Sequence, residues 1–154
     1  MRLWCENKKV AVYFDIIPDV DIRYPIPELM SDEQLKDIKK KPFMNHKELT
    51  VQLVDKKKDI TYTFIIEENY PFDGASIPTF FWRLIGSNTD NTFLIPAMVH
   101  DKLCENHSWI ENDKNFSTEV FNCLLEGNRV CPLKRFFMKH SVNFYQNFCN
   151  WRKD

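Results

Sequence analysis

The chain predicts an α+β fold, a small antiparallel sheet packed against about four C-terminal helices. Two runs, 49–54 and 60–66, carry the alternation or β-branched and aromatic content of strands, separated by a short polar turn. From residue 78 onward, apolar residues recur instead at spacings of three and four, the period of helices. The 154 residues are 44% hydrophobic and 14% aromatic, with thirteen phenylalanines, which suits one buried core and excludes intrinsic disorder.

Taken in order, Val10 to Ile17 reads as a strand ended by Pro18, and Pro25 and Pro27 break regular structure around Tyr24. Ser31-Asp32-Glu33-Gln34, followed by Leu35 and Ile38, has the signature of a capped short helix with lysines in its last turn. Leu49, Val51 and Leu53 alternate with Thr50 and Gln52, and Asp55-Lys56-Lys57-Lys58-Asp59 connects this strand to Ile60–Ile66 as a hairpin. A short aromatic helix is expected from Pro78 to Ile85, capped by Gly86. A second is expected to begin near Pro96, and a third to run from Ser117 to Glu126 with Gly127 beyond its end. The last starts at Pro132 and places Leu133, Phe136, Phe137, His140, Phe144, Phe148 and Trp151 on one apolar stripe. The whole reads as one domain, 1–154, with a variable N-terminal segment, 1–48, and a motif-bearing core, 49–151.

A formal net charge of −1 argues against a general electrostatic grip on nucleic acid. Lys39-Lys40-Lys41 and Lys56-Lys57-Lys58 read as solvated faces or turns. Five cysteines, Cys5, Cys104, Cys123, Cys131 and Cys149, never form a CxxC and are odd in number. That pattern disfavours a thiolate zinc knuckle and a fully paired disulfide framework, and reduced thiols in a cytoplasm account for it. No apolar run reaches membrane-spanning length, and the first residues lack the apolar core of a signal peptide, so a cytoplasmic location is expected.

The candidate site is built on Asp73-Gly74-Ala75-Ser76-Ile77-Pro78 and on His100-Asp101. One of only three glycines follows Asp73, so the stretch reads as a built corner carrying a carboxylate. Asp73 serves either as a turn or cap residue or as a metal ligand or base. Ser76 can cap the following helix or bond a ligand, and Trp82, beside Phe80 and Phe81, can wall a pocket. As a nucleophile Ser76 is disfavoured, because G-x-S-x-G is absent. His100 and Asp101 are consecutive and diverge by about 100° on a helix, so they share a site only over the wedge between them. Imidazole and carboxylates suit a divalent metal, zinc, manganese or magnesium, that activates water, or metal-free acid–base chemistry. His107 is a weak third-ligand candidate in a loop-like stretch, His140 reads as core packing, and His46 as a linker residue without a chemical role.

Pro71-Phe72-Asp73-Gly74-Ala75-Ser76-Ile77-Pro78, then Trp82, Pro96-Ala97 and Val99-His100-Asp101 with Leu103 resemble a family of uncharacterised phage and prophage proteins. The likeness runs from Val51 to Val142. Members carry a strand pair, this corner, an H-D-Y-L-Y helix and a later acidic helix. Here both tyrosines are replaced, by Lys102 and Cys104. Thr118 stands where the family has an aspartate three residues before Phe121, with Glu119 or Asp113 as the substitutes at hand. The arginine that commonly precedes that aspartate has no clear counterpart. The resemblance implies a phage or prophage origin and a bacterial-cell setting, and supplies no activity. Three functions stay open: a metal-assisted hydrolase using Asp73, His100 and Asp101; a non-catalytic protein that binds and inhibits a host defence component; and a virion or lysis component. In the second, Asp73 and His100 form a structural hydrogen-bond knot between hairpin and helices.

Overall fold

The computed structural model describes residues 1–73 and 91–130, together with 132, 133, 135, 136, 139 and 140. The α+β architecture is as the residue pattern predicts, with two antiparallel sheets rather than one. Strands β1 (Arg2–Glu6), β2 (Val10–Phe14), β5 (Leu49–Asp55) and β6 (Ile60–Ile66) form a four-stranded sheet in the order β1-β2-β5-β6. Strands β3 (Val20–Ile22), β4 (Phe43–Asn45) and β7 (Tyr70–Phe72) form a three-stranded sheet in that order. Helix α1 spans Asp32–Lys40, α2 Asn91–Glu105 and α3 Lys114–Gly127, with a 3₁₀ turn at His107–Ile110 between the last two.

The β5–β6 hairpin is the spine of the larger sheet. Leu49, Val51, Leu53 and Asp55 all point inward while the residues between them are half-buried, the outcome of a two-residue side-chain period. Its register pairs Val51 with Phe64 and Leu53 with Tyr62. Asp55 closes the turn by accepting the backbone N–H groups of Lys57 at 3.0 Å and Lys58 at 3.2 Å, and Asp59 takes the left-handed conformation at φ 56°. Strand β2 stops at Phe14 rather than Ile17, because the Asp15 carboxylate takes the N–H of Thr50 at 2.8 Å beside the end of the ladder. Segment 1–48 holds four strands and α1, and β2 pairs with β5, so the sheet crosses the 48/49 boundary.

The Ser31 cap forms as its sequence dictates. Its hydroxyl accepts from the Gln34 N–H at 3.2 Å, and the Gln34 side chain accepts from the Ser31 N–H at 2.8 Å. Helix α2 begins five residues before Pro96, which therefore lies inside it. A proline there removes one internal hydrogen bond, and burial of Phe93, Leu94, Ala97 and Met98 outweighs that cost. Helix α3 starts three residues earlier than its apolar pattern indicates, since Asp113 caps it by accepting the Phe116 N–H at 3.0 Å. Gly127 is its last helical residue rather than a cap beyond it.

Helix α3 packs on β1 and β2, and α2 packs on α3 and on β3. One cluster of buried apolar side chains from both sheets, α2 and α3 fills the space between them. Asn45, wholly buried, ties the small sheet to the hairpin by donating to the carbonyls of Lys47 at 2.8 Å and Glu67 at 3.1 Å. After Pro132 the described residues are helical, but Leu133 is 66% and Phe136 57% exposed. His140 is also exposed and lies against the Phe136 ring, so it does not pack in the core. Periodicity identifies a shared face; which face the protein covers depends on its neighbours. The expected helix at 78–85 and its Gly86 cap lie outside the described residues.

Candidate functional site

Helix α2 carries the centre of the site. Residues 97 to 104 are buried on every side, His100 to 1% exposure and Asp101 to 0%, as expected of a helix enclosed by the rest of the molecule. A carboxylate withdrawn from water must be engaged by other groups, and Asp73, His100 and Asp101 each are. The His100 ring meets the edge of Phe121 on α3, with centroids 5.4 Å apart at 62°. Cys104, one turn on, places its sulfur 3.5 Å from Nδ1 and 3.7 Å from Nε2 of the same ring. Near-equal distances to both nitrogens put the sulfur over the ring, out of line with either nitrogen lone pair. The contact packs the imidazole and is not the in-line geometry of a thiolate–imidazolium couple.

Opposite, on α3, Ser117 and Thr118 are buried and donate their hydroxyls to the Lys114 carbonyl, at 2.8 and 3.1 Å. Thr118 thus supplies a neutral hydroxyl, with its proton engaged by the backbone. Glu119 faces the other way, into ion pairs with Lys9 at 3.5 Å and Lys139 at 2.8 Å. Asp113 is held by Lys58 at 2.9 Å. Burial pushes the Asp113 carboxyl up, but the Lys58 hydrogen bond and the Phe116 N–H outweigh it and leave the group below its ordinary range.

Asp73 is half-buried and directly follows β7. The strand is anchored to the last turns of α2: the Tyr70 hydroxyl donates to Glu105 at 3.0 Å, and the Lys102 ammonium sits 4.5 Å from the Tyr70 ring centre. Lys102 also pairs with Glu67 at 2.6 Å and lies 5.9 Å from the Trp109 ring centre. Asp73 is the third residue after Tyr70, so even an extended chain keeps it within about 10 Å of this anchor. Burial raises the Glu67 carboxyl, and the hydrogen bond from Lys102, with a backbone donor, more than reverses it to a net lowering. Sequence reasoning missed this anchor. No short-range pattern signals it, because Glu67 and Tyr70 are far from Lys102 in sequence.

The other candidates divide plainly. The Nδ1 of His107 contacts the Asn112 side chain within its own loop, and His46 is exposed. Ser76 and Trp82, with Phe80 and Phe81, lie outside the described residues. Among the described residues, no three His, Cys, Asp or Glu side chains are grouped to hold a metal ion. A cleft of about 420 Å³ opens between the hairpin turn, the first half of α3 and residues 139–140. Its principal charges, Lys58 with Asp113 and Lys139 with Glu119, are paired with one another. Among the described residues no helix is long and apolar enough to cross a membrane.

No curated protein and no solved structure matches the chain. Residues 48–142, from the start of the hairpin through α3 and beyond, match the family described as Protein of unknown function (DUF1353). With well over half of its length inside that match, and with the corner and the buried His100-Asp101 helix both within it, the chain belongs to the DUF1353 family.

Proposed function

We propose that the protein is a phage- or prophage-encoded accessory protein that binds and inhibits a host bacterial protein of the defence type, without turnover, from the host cytoplasm. In this reading Asp73, His100 and Asp101 form a structural knot that ties the chain at the end of β7 to α2. The observation that carries it is the enclosure of His100 and Asp101, at 1% and 0% exposure, with the imidazole between the edge of Phe121 and the sulfur of Cys104. A general base or a metal-bound water has to reach substrate, and buried polar groups locked by neighbours serve specificity of folding instead. The phage origin rests on the likeness of the two motifs to phage and prophage proteins.

A binding surface is at hand. Ile17, Tyr24 and Leu29, between β2 and α1, are 68%, 67% and 79% exposed, with Ile16 and Ile26 exposed in the same segment. Exposed large apolar side chains clustered in sequence offer contacts to a partner. The test is affinity capture from bacterial cells expressing tagged protein, wild type against Ile17→Ser/Tyr24→Ser/Leu29→Ser. A host protein retained by the wild type and lost with an equally stable triple variant is the expected result. Equal capture by both would remove this surface from the account. Hydrolysis around a divalent metal held by Asp73, His100 and Asp101 is the rival reading, and metal content separates the two.

A further inference from the structure

Cys5, on the edge strand β1, and Cys123, on α3, are 118 positions apart in sequence, yet their sulfurs lie 3.2 Å from each other. Both are free thiols, exposed to only 7% and 0%. The approach is enforced by the backbone around them. A Cβ added at Gly127 would stand 2.6 Å from the Cβ of Cys5, so the end of α3 rests directly on β1 only because residue 127 has no side chain. A disulfide holds its sulfurs about 2.05 Å apart, so from 3.2 Å the two sulfurs have to approach by about 1 Å.

We infer that Cys5 and Cys123 are an oxidative-modification site, which takes a small-molecule disulfide as its oxidant and becomes an intramolecular cross-link between β1 and α3. Reaction starts at the sheet edge. Among the described residues strand β1 pairs with β2 alone, and its ladder is broken by an irregularity between Leu3 and Cys5, so it is prone to fray. Docked, the Cys5 thiol is held protonated, first by its hydrogen bond with Cys123 and then by burial. Frayed, its thiolate attacks one sulfur of the oxidant, forming a mixed disulfide and releasing the other half as a thiolate. When β1 docks again, Cys123 gives up its proton to the released thiolate and attacks the Cys5 sulfur. The mixed bond breaks and the second half leaves as a thiolate, which is protonated from water. Two protein thiols are oxidised and one small disulfide is reduced to two thiols. The cross-link fixes the helix that presents Phe121, two residues before Cys123, to the His100 ring.

The experiment incubates the full chain, first fully reduced, with excess oxidised glutathione. It reads intact mass, the cross-linked peptide after alkylation and digestion, and the thermal midpoint. The expected result is a mass lower by two hydrogens, a Cys5–Cys123 peptide pair, and an upward shift of about 5–15 °C that dithiothreitol reverses. Cys123→Ala is expected to stop at a glutathione adduct on Cys5. Two-hydrogen loss mapped to other cysteines, a stable glutathione adduct on the wild-type pair, or a cross-link with no thermal shift would each overturn the inference. The wild-type peptide map decides even if the variant fails to fold.

Discussion

Gly127→Ala tests the packing of α3 on β1 by its sign. In a helix, alanine is favoured over glycine by about 1 kcal/mol, so helix propensity alone predicts a more stable protein. The structure predicts the reverse. The added Cβ would lie 2.6 Å from the Cβ of Cys5, and both atoms are fixed to backbone, so no side-chain rotation relieves the overlap. Overpacking of this kind costs about 1–3 kcal/mol, and a contact between two backbone-fixed atoms belongs at the upper end. Subtracting the helix gain leaves a net loss of about 1–2 kcal/mol, or a fall of about 0.5–1 M in the urea midpoint at an ordinary m-value. Cys5→Ala keeps the offending Cβ and is expected to leave that loss in place, whereas Cys5→Gly removes it. A double-mutant cycle of Gly127→Ala with Cys5→Gly should therefore show a favourable coupling that the cycle with Cys5→Ala lacks. An unchanged or higher urea midpoint for Gly127→Ala would refute the close approach and, with it, the setting of the thiol pair.

The remaining expectations concern acid. Glu67 and Asp113 both have folded-state carboxyls below their ordinary values, so their contribution is fully present above the unfolded values, about 4.3 and 3.9, and is lost as pH falls through the folded ones. Stability therefore rises with pH across this limb, and Glu67→Gln is expected to flatten it in thermal unfolding followed between about pH 2 and pH 5. Asp113→Asn keeps a competent helix cap while removing the titration, so its curve should converge on the wild type at low pH and fall below it at neutral pH. A parallel displacement at every pH would mean that neither carboxylate is stabilised by its lysine.

The parts of the fold legible in the residues are those with a local physical cause. The alternation of Leu49, Val51 and Leu53 gives the buried face of β5, and Ser31 with Gln34 gives the start of α1. Strands β3, β4 and β7 were not foreseen because three residues such as Phe43-Met44-Asn45 are too short to show a period. Pro96 misplaced the start of α2 because burial of Phe93 and Leu94 overrides a local rule. Leu133 and Phe136 share a face, as their spacing requires, but nothing in spacing says that it points to solvent. For the site, the helix bearing His100 and Asp101 was readable, whereas β7, the three-residue strand that leads to Asp73, was not. The Lys102 anchor and the Cys5–Cys123 approach join residues far apart in sequence, and no short-range pattern encodes such a meeting.

His100 is either a structural group or a metal ligand. The deciding measurement is the metal content of wild-type protein purified without chelator, by mass spectrometry of the elements, with His100→Ala unfolded in urea beside it. A structural knot predicts no stoichiometric zinc, manganese or magnesium in the wild type. It also predicts a loss of at least about 2 kcal/mol in His100→Ala, from the cavity and the polar partners left behind. Close to one metal ion per wild-type chain, absent from a His100→Ala protein of undiminished stability, would contradict it and return Asp73, His100 and Asp101 to the chemistry of a hydrolase.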